Sequence, residues 1–370
     1  MRGADTKQSS MLCLMSPESR IPRAHPLRAI KKLADQALGE MSPLFDRMYA
    51  ETGRPSVPPE RMLKAMVLMA LYTVRSERRF CEQLDYDMLF RWFLDMSMSE
   101  DGFDASTFSK NRQRLMDHDV AQVFFHRVVE QARAARLLSA EHFTVDGTLI
   151  EAWASLKSFK PRGSTERGDR RGVLTRRGHK RGRCRNSNPT VNFHGQRRRN
   201  DTHASTTDPE ARLMRKGDGK EAKLSFSAHA LMENRHGLLL DLRIAEASGT
   251  AERRVALEMI DEQLPGEHRI TLGADKGYHT RDFIAECRRR NVTPHVADKA
   301  SCSMLDQRTT AKAGYAISQR LRKRVEEIFG WGKTVGNFRR TRYRGAARTQ
   351  LAAYFVGAAY NMTRLARLLA

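Results

Sequence analysis

The chain changes its hydrophobic periodicity once, near residue 140, and that change limits its fold more than any other feature. From Pro26 to about Leu138, apolar residues recur at helical spacing with little alternation. Met62, Met66, Val67, Met69, Leu71 and Val74 make one such stripe, and Pro58-Pro59-Glu60 opens it. Proline is tolerated in a first helical turn, and an acid there suits the helix dipole. A further helix is predicted over Phe80 to Met96, and Asp104 or Ser106 caps another through Lys110, Arg112 and Arg114.

From His142 the pattern turns to short apolar runs separated by helical ones. Strands are predicted at His142 to Asp146 and at Leu224 to Leu231, with a return strand at Gly237 to Ala245 after a polar turn. A helix capped by Thr250 follows, then a strand at Ile270 to Asp275 and a helix at Thr280 to Arg290. Val292 to Val296 is the last strand, and a long helix covers Ala316 to about Asn337. The expected fold class is α/β: a mixed-sheet domain over residues 141–370, preceded by an all-helical domain over 25–140 and a flexible tail over 1–24.

Charge narrows the partners. Across 370 residues the formal charge is +23 and the pI is near 10.3, which favours a polyanion such as nucleic acid. Residues 157 to 200 hold 15 Lys/Arg against Glu166 and Asp169. A stretch so basic and so poor in apolar residues cannot bury enough surface to order itself. A disordered insertion is therefore expected over 157–215, either an arm that follows phosphates, through Arg197, Arg198 and Arg199, or a solvated loop. Arg112 and Arg114 carry the same two readings: a helix-turn-helix DNA contact, or the solvated face of a dimerisation subdomain.

No stretch reaches the roughly 18 apolar residues of a spanning helix, so no membrane partner is expected. The N-terminus has no signal-peptide pattern. Cys13, Cys81, Cys184, Cys287 and Cys302 are scattered and odd in number, which points to free thiols in a reducing cytoplasm.

Three acids carry the chemistry. Asp146 and Asp275 each end a short apolar run, in Asp146-Gly147-Thr148 and Asp275-Lys276-Gly277-Tyr278. Singly each reads as an ordinary turn. Glu326 lies on the last long helix with Arg322 one turn before it and Lys333 two turns after. Two strand-end aspartates and one helical glutamate meet the needs of two-metal phosphodiester chemistry, in which two Mg²⁺ clamp the attacking and leaving oxygens.

These elements resemble those of bacterial insertion-sequence transposases of the DDE superfamily, in the group that includes insertion-sequence families four and five. The resemblance implies an RNase H-like catalytic domain with Asp146, Asp275 and Glu326 as catalytic residues and ligands of two Mg²⁺, Mn²⁺ being a possible substitute. The group's signature reads Tyr, two residues, Arg, three residues, Glu, six residues, Lys; here the positions are Gln319, Arg322, Glu326 and Lys333, with Tyr315 one turn earlier. The signature selects Glu326 over Glu327, and helical phase agrees, because Leu321, Val325, Ile328 and Trp331 share the apolar side.

The resemblance further implies that Arg322 and Lys333 contact DNA near the scissile phosphate. Ten Lys/Arg between Arg320 and Arg348, Arg339 and Arg340 among them, fit a segment lying along a DNA backbone. Trp331 reads either as a base-stacking side chain or, from its phase, as core. The implied reaction opens the transposon end with water, after which the freed 3′-hydroxyl attacks target DNA. The implied partners are double-stranded DNA (terminal inverted repeats and target) and further copies of the chain, a homodimer or higher synaptic assembly, in a bacterial cytoplasm and at its nucleoid. Two readings stay beside this one: a DNA-binding relative that no longer cuts, and a two-metal nuclease that does not join.

Overall fold

The computed structural model describes residues 16–49, 52, 56–162, 198–217, 219–264, 266, 268–298 and 304–370. Arg197 and the stretch 163–196 of the basic segment lie outside these, as do Cys13, Cys184 and Cys302. Among the described residues the first third is helical: α1 (Pro17–Arg20), α2 (Pro26–Gly39), α3 (Ser42–Met48), α4 (Pro59–Leu71), α5 (Glu77–Tyr86), α6 (Met88–Phe93), α7 (Ala105–Asp117) and α8 (Val120–Ala134). Two details differ from expectation here. Asp87 accepts a hydrogen bond from Phe90 N at 3.1 Å and breaks the helix foreseen over 80–96 into α5 and α6. Inside the segment taken as a tail, α1 is capped by Ser16, and its Glu18 bonds both Arg28 and Trp92. Asp104 caps α7 as foreseen, accepting from Ser106 N at 2.7 Å and Thr107 N at 3.0 Å.

The second part runs β1 (His142–Glu151), β2 (Phe159–Pro161), β3 (His203–Ser205), β4 (Arg212–Met214), β5 (Lys223–Glu233), β6 (Leu239–Glu246), α9 (Ala251–Gln263), β7 (Ile270–Ala274), α10 (Arg281–Arg289), β8 (Val292–Val296), α11 (Gln307–Thr310), α12 (Ala313–Leu321), α13 (Val325–Thr334) and α14 (Ala346–Leu368). The main sheet has the order β6-β5-β1-β7-β8, with β4 beside β6 along the outer edge of β5. β1, β5 and β6 are antiparallel neighbours, while β7 and β8 run parallel to β1. This is the RNase H-like arrangement. The described residues of the segment 157–215 carry short strands: β2 pairs with β3 and β4 pairs with β5, so both flanks of the basic stretch are tied to the fold. Its few apolar residues suffice for this, because Phe159 and Ala211 join a small core with Ala152, Leu224 and Phe226.

Alternation along β1 divides the layers. Phe143 and Val145 face a core built with α9 and α10. Ile150, with Ala228, Ala230 and Met232 of β5, faces the opposite layer of α13 and α14. That second core also takes in the buried faces of α2, α4 and α8, so the helical region and the sheet share one interior through α14.

Candidate active site

A cleft of about 650 Å³ opens where β1 loses a neighbour. β7 pairs with β1 only at His142 to Thr144, and the segment at Arg339–Thr341 rejoins β1 at Glu151. Between these points Asp146, Gly147, Thr148 and Leu149 line the cleft. Since Thr144 pairs with Gly273, Asp146 within β1 and Asp275, the residue just past the end of β7, each come two residues later and lie near one another. Asp275 Oδ1 accepts from Gly277 N at 2.7 Å, which turns the chain sharply out of β7. Asp146 Oδ1 accepts from Gly147 N at 2.8 Å.

The helical side is brought close by a missing side chain. A Cβ on Gly273 would lie 3.1 Å from Thr144 Oγ1 and 3.2 Å from both Arg322 Cβ and Ser318 Oγ. Glycine therefore lets the helical segment settle on the sheet, where Ser318 Oγ also meets His142 Nε2 at 2.8 Å. The single helix expected over 316–337 is broken by a 3₁₀ turn at Arg322–Arg324, between α12 and α13. Val325 and Ile328 are buried, and Glu326 is exposed to the cleft with Lys333. Glu327 instead pairs with Arg364 at 2.8 Å, outside the cleft.

Asp146, Asp275 and Glu326 thus line one space, and α9 supplies a fourth acid, Glu252. Nothing in its sequence surroundings marks it, since an acid in the first turn of a helix is common. The foreseen Thr250 cap makes no side-chain bond to the helix backbone; Ser248 Oγ accepts from Ala251 N at 3.1 Å in its place. Burial pushes the Asp146 carboxyl up to about 7, with the charges of Asp275 and Glu252 adding to it and Gly147 N–H and Arg322 opposing. Burial, then Asp275, raises Glu252 as well. Among the described residues none of these four carboxylates makes an ion pair.

The set is negative, partly desolvated and built from hard oxygens, so its chemistry fits a divalent cation such as Mg²⁺. Among the described residues no three His, Cys, Asp or Glu side chains form a finished metal cage; the acids surround a space rather than a closed point. Cations crowd the rim. Lys333 donates to Thr148 Oγ1. Burial holds its ammonium below the usual value, and Lys216 and Arg339 push the same way. Arg215, Lys216 and Arg339 line the cleft.

The remaining basic residues divide. Arg322 Nε donates to Gln319 Oε1 at 2.9 Å, while Gln319 Nε2 donates to the His295 carbonyl. Gln319, at the position the signature gives to tyrosine, therefore ties Arg322 to the end of β8. Tyr315 does not reach this chain of bonds; its hydroxyl donates to Val296 O at 2.9 Å. Arg340 is turned back on the fold, bonding Trp153 O at 2.7 Å and stacking on the Trp153 ring. Arg198 reaches Leu156 O at 3.3 Å and Arg199 is exposed; neither lines the cleft.

Arg112 departs furthest from the solvated DNA-contact reading. Its guanidinium pairs with Glu77 and lies 4.9 Å from the Tyr343 ring centre, an internal role. Arg114 is exposed over Tyr49 at 4.7 Å. Trp331 is part-buried edge-on to Tyr360, so it packs as core. His279 and His295 lie outside the cleft lining.

Residues 142–362 match the family model described as Transposase DDE domain, and residues 15–114 match Transposase domain (DUF772). A comparison with curated proteins finds no match. Among solved structures, a piggyBac transposase synaptic complex with hairpin DNA aligns over 91% of this chain and 73% of that one, at 10% identity and a TM-score of 0.38. A pre-cleavage Mos1 transpososome aligns over 86% and 80%, at 11% identity and a TM-score of 0.21. Likenesses that distant add no weight to the family match. The DDE-domain match alone spans more than half of the chain, around the cleft just described, and the chain belongs to the DDE transposases, metal-dependent enzymes of DNA cleavage and strand transfer.

Proposed function

We propose that the chain binds the terminal inverted repeats of an insertion sequence and carries out both cleavage and strand transfer in the cleft between β1 and α13. The observation that carries this reading is the meeting of Asp146, Asp275 and Glu326, from three separate elements, in one cleft rimmed by cations. Those three acids would hold two Mg²⁺, or Mn²⁺ in their place, which supply charge neutralisation at the scissile phosphate and at the attacking and leaving oxygens. Arg322, fixed by Gln319, and Lys333, fixed by Thr148, present cations to the phosphodiester backbone. Arg215, Lys216 and Arg339 extend that surface along the strand.

Residues 25–140 act in DNA binding or dimerisation, and residues 141–370 form the catalytic unit. The partners are double-stranded DNA, as transposon ends and target, and further copies of the chain in a synaptic assembly. No helix among the described residues is long and apolar enough to cross a membrane, and the bacterial cytoplasm and its nucleoid are the expected place of action.

The test mixes the purified chain with Mg²⁺, a duplex carrying the terminal repeat and a supercoiled target. Nicking and joining are expected. Asp275→Asn should lower both by at least about a thousandfold, the several kcal/mol that a metal clamp supplies, with DNA binding retained. Nicking without joining would favour a nuclease, and tight binding with neither product would remove the enzymatic reading for this chain.

A further inference from the structure

We propose that Glu252 is a fourth carboxylate ligand of the divalent-metal site, reaching it from the helical layer opposite Glu326. This rests on the reading of Asp146, Asp275 and Glu326 as metal ligands. Asp146 is followed by Gly147 and Asp275, after one intervening residue, by Gly277, and the Glu252 carboxylate approaches both glycines. A Cβ on Gly147 would lie 3.0 Å from Glu252 Oε1, and one on Gly277 would lie 3.4 Å from Glu252 Oε2 and 3.0 Å from Asp275 Oδ1. Each oxygen therefore faces the turn beside one aspartate. A side chain at either glycine would press on that carboxylate.

Two further observations separate Glu252 from an ordinary first-turn acid. Its neighbour Arg253 donates to Gly277 O at 3.1 Å and to Gly249 O at 3.3 Å. The start of α9 is thereby tied to the Asp275 turn while Glu252 itself takes no hydrogen bond or ion pair among the described residues. An acid held this firmly by its surroundings, yet bonded to none of them, lacks a counter-charge. The second observation is His229, the cross-strand partner of Gly147. Its side chain is wholly buried, and its Nε2 is engaged with Ser227 Oγ at 2.9 Å. Its Nδ1 has no partner and lies 3.2 Å from the same Gly147 position that Glu252 Oε1 approaches. A carboxylate and an orphaned imidazole nitrogen thus pack together against bare Gly147, next to Asp146, and the carboxylate lines the cleft with no cation of the protein to balance it, a need that a divalent cation held by hard oxygens would meet.

The test uses the full chain, stripped with a chelator and titrated with Mn²⁺ by calorimetry without DNA. Glu252→Gln should bind Mn²⁺ at least about tenfold more weakly, with a metal-free melting temperature no lower than the parent's. Gly147→Ala, which keeps every charge but displaces the carboxylate, should weaken Mn²⁺ binding too, and the double variant should lose no more than Glu252→Gln alone. Mn²⁺ affinity of Glu252→Gln within twofold of the parent, while Asp275→Asn and Glu326→Gln lose theirs, would overturn the proposal and leave the three-acid site standing. Unchanged affinity in Asp275→Asn and Glu326→Gln would overturn the underlying site itself, and Glu252 with it.

Discussion

The helical region and the cleft treat charge in opposite ways. Among the helices, charged groups are matched inside the fold: Lys64, only 4% exposed, pairs with Asp35 at 2.6 Å and also with Asp95. Lys31 meets the same two acids, Arg61 pairs with Glu100, and Arg112 with Glu77. In the cleft Asp146, Asp275, Glu252 and Glu326 share one space with no ion pair among them, and Lys216, Lys333 and Arg339 stand at the rim. Buried charges that are paired hold a fold in register, whereas partly buried charges left together lower stability until something arrives to neutralise them. The first region pairs its charges within the fold and the second leaves its acids unpaired.

The largest effect that tests this contrast is on stability against pH in the metal-free chain. Asp146 has its folded pKa raised to about 7 against 3.8 for the free group. Between those values the folded chain binds a proton that the unfolded chain has released, so stability is greatest at low pH in this window and falls as pH rises through it. Between pH 4.5 and 7.5 the loss is about 3 kcal/mol, read by chemical denaturation with chelator. Saturating Mg²⁺ should restore much of it at the higher pH, and Asp146→Asn should flatten the slope. A slope unchanged in that variant would break the contrast at its strongest point.

In the helical region the corresponding change is Arg112→Ala. It strips Glu77 of its cation, leaving Tyr343 OH at 3.1 Å and Ser109 Oγ at 2.9 Å as its remaining partners. Denaturation should show a loss of about 3 kcal/mol, with DNA affinity per folded molecule within twofold of the parent. Weakened DNA binding at unchanged stability would place Arg112 with the rim cations. The smallest effect is expected from Arg339→Ala, at the exposed lip of the cleft. It should reduce the slope of log binding constant against log salt by about 1 and leave the melting temperature where it was.

Much of this was legible in the chain. The sheet and the place of Asp275 just past the end of β7 follow from local pattern. Asp146, expected at a strand end, lies inside β1, which runs on to Glu151 because β5 pairs with it from Phe143 to Glu151. The preference for Glu326 over Glu327 rests on the signature of the resemblance, with helical phase in agreement. Glu252 was not legible: its place depends on bare glycines at 147 and 277, one about a hundred residues before it. Nor was the internal role of Arg112, since Arg-Gln-Arg on a helix reads as a solvated face until Glu77 and Tyr343 are brought to it. The break at Arg322–Arg324 was hidden because nothing in Arg-Lys-Arg disfavours an α-helix. The strands flanking the basic stretch were lost in its average charge.

The helix α14 has a consequence in time. Its residues Leu351, Phe355, Ala358, Tyr360 and Met362 are buried in the interior shared by α2, α4, α8, β6 and α13. A growing chain that has already made Asp146, Asp275 and Glu326 still lacks this element until residues 346–368 emerge. The layer under α13 is therefore completed last. A product terminated before Ala346 carries every acid of the cleft and the core of α9 and α10, but not the helix against which Val325 and Ile328, flanking Glu326, are packed.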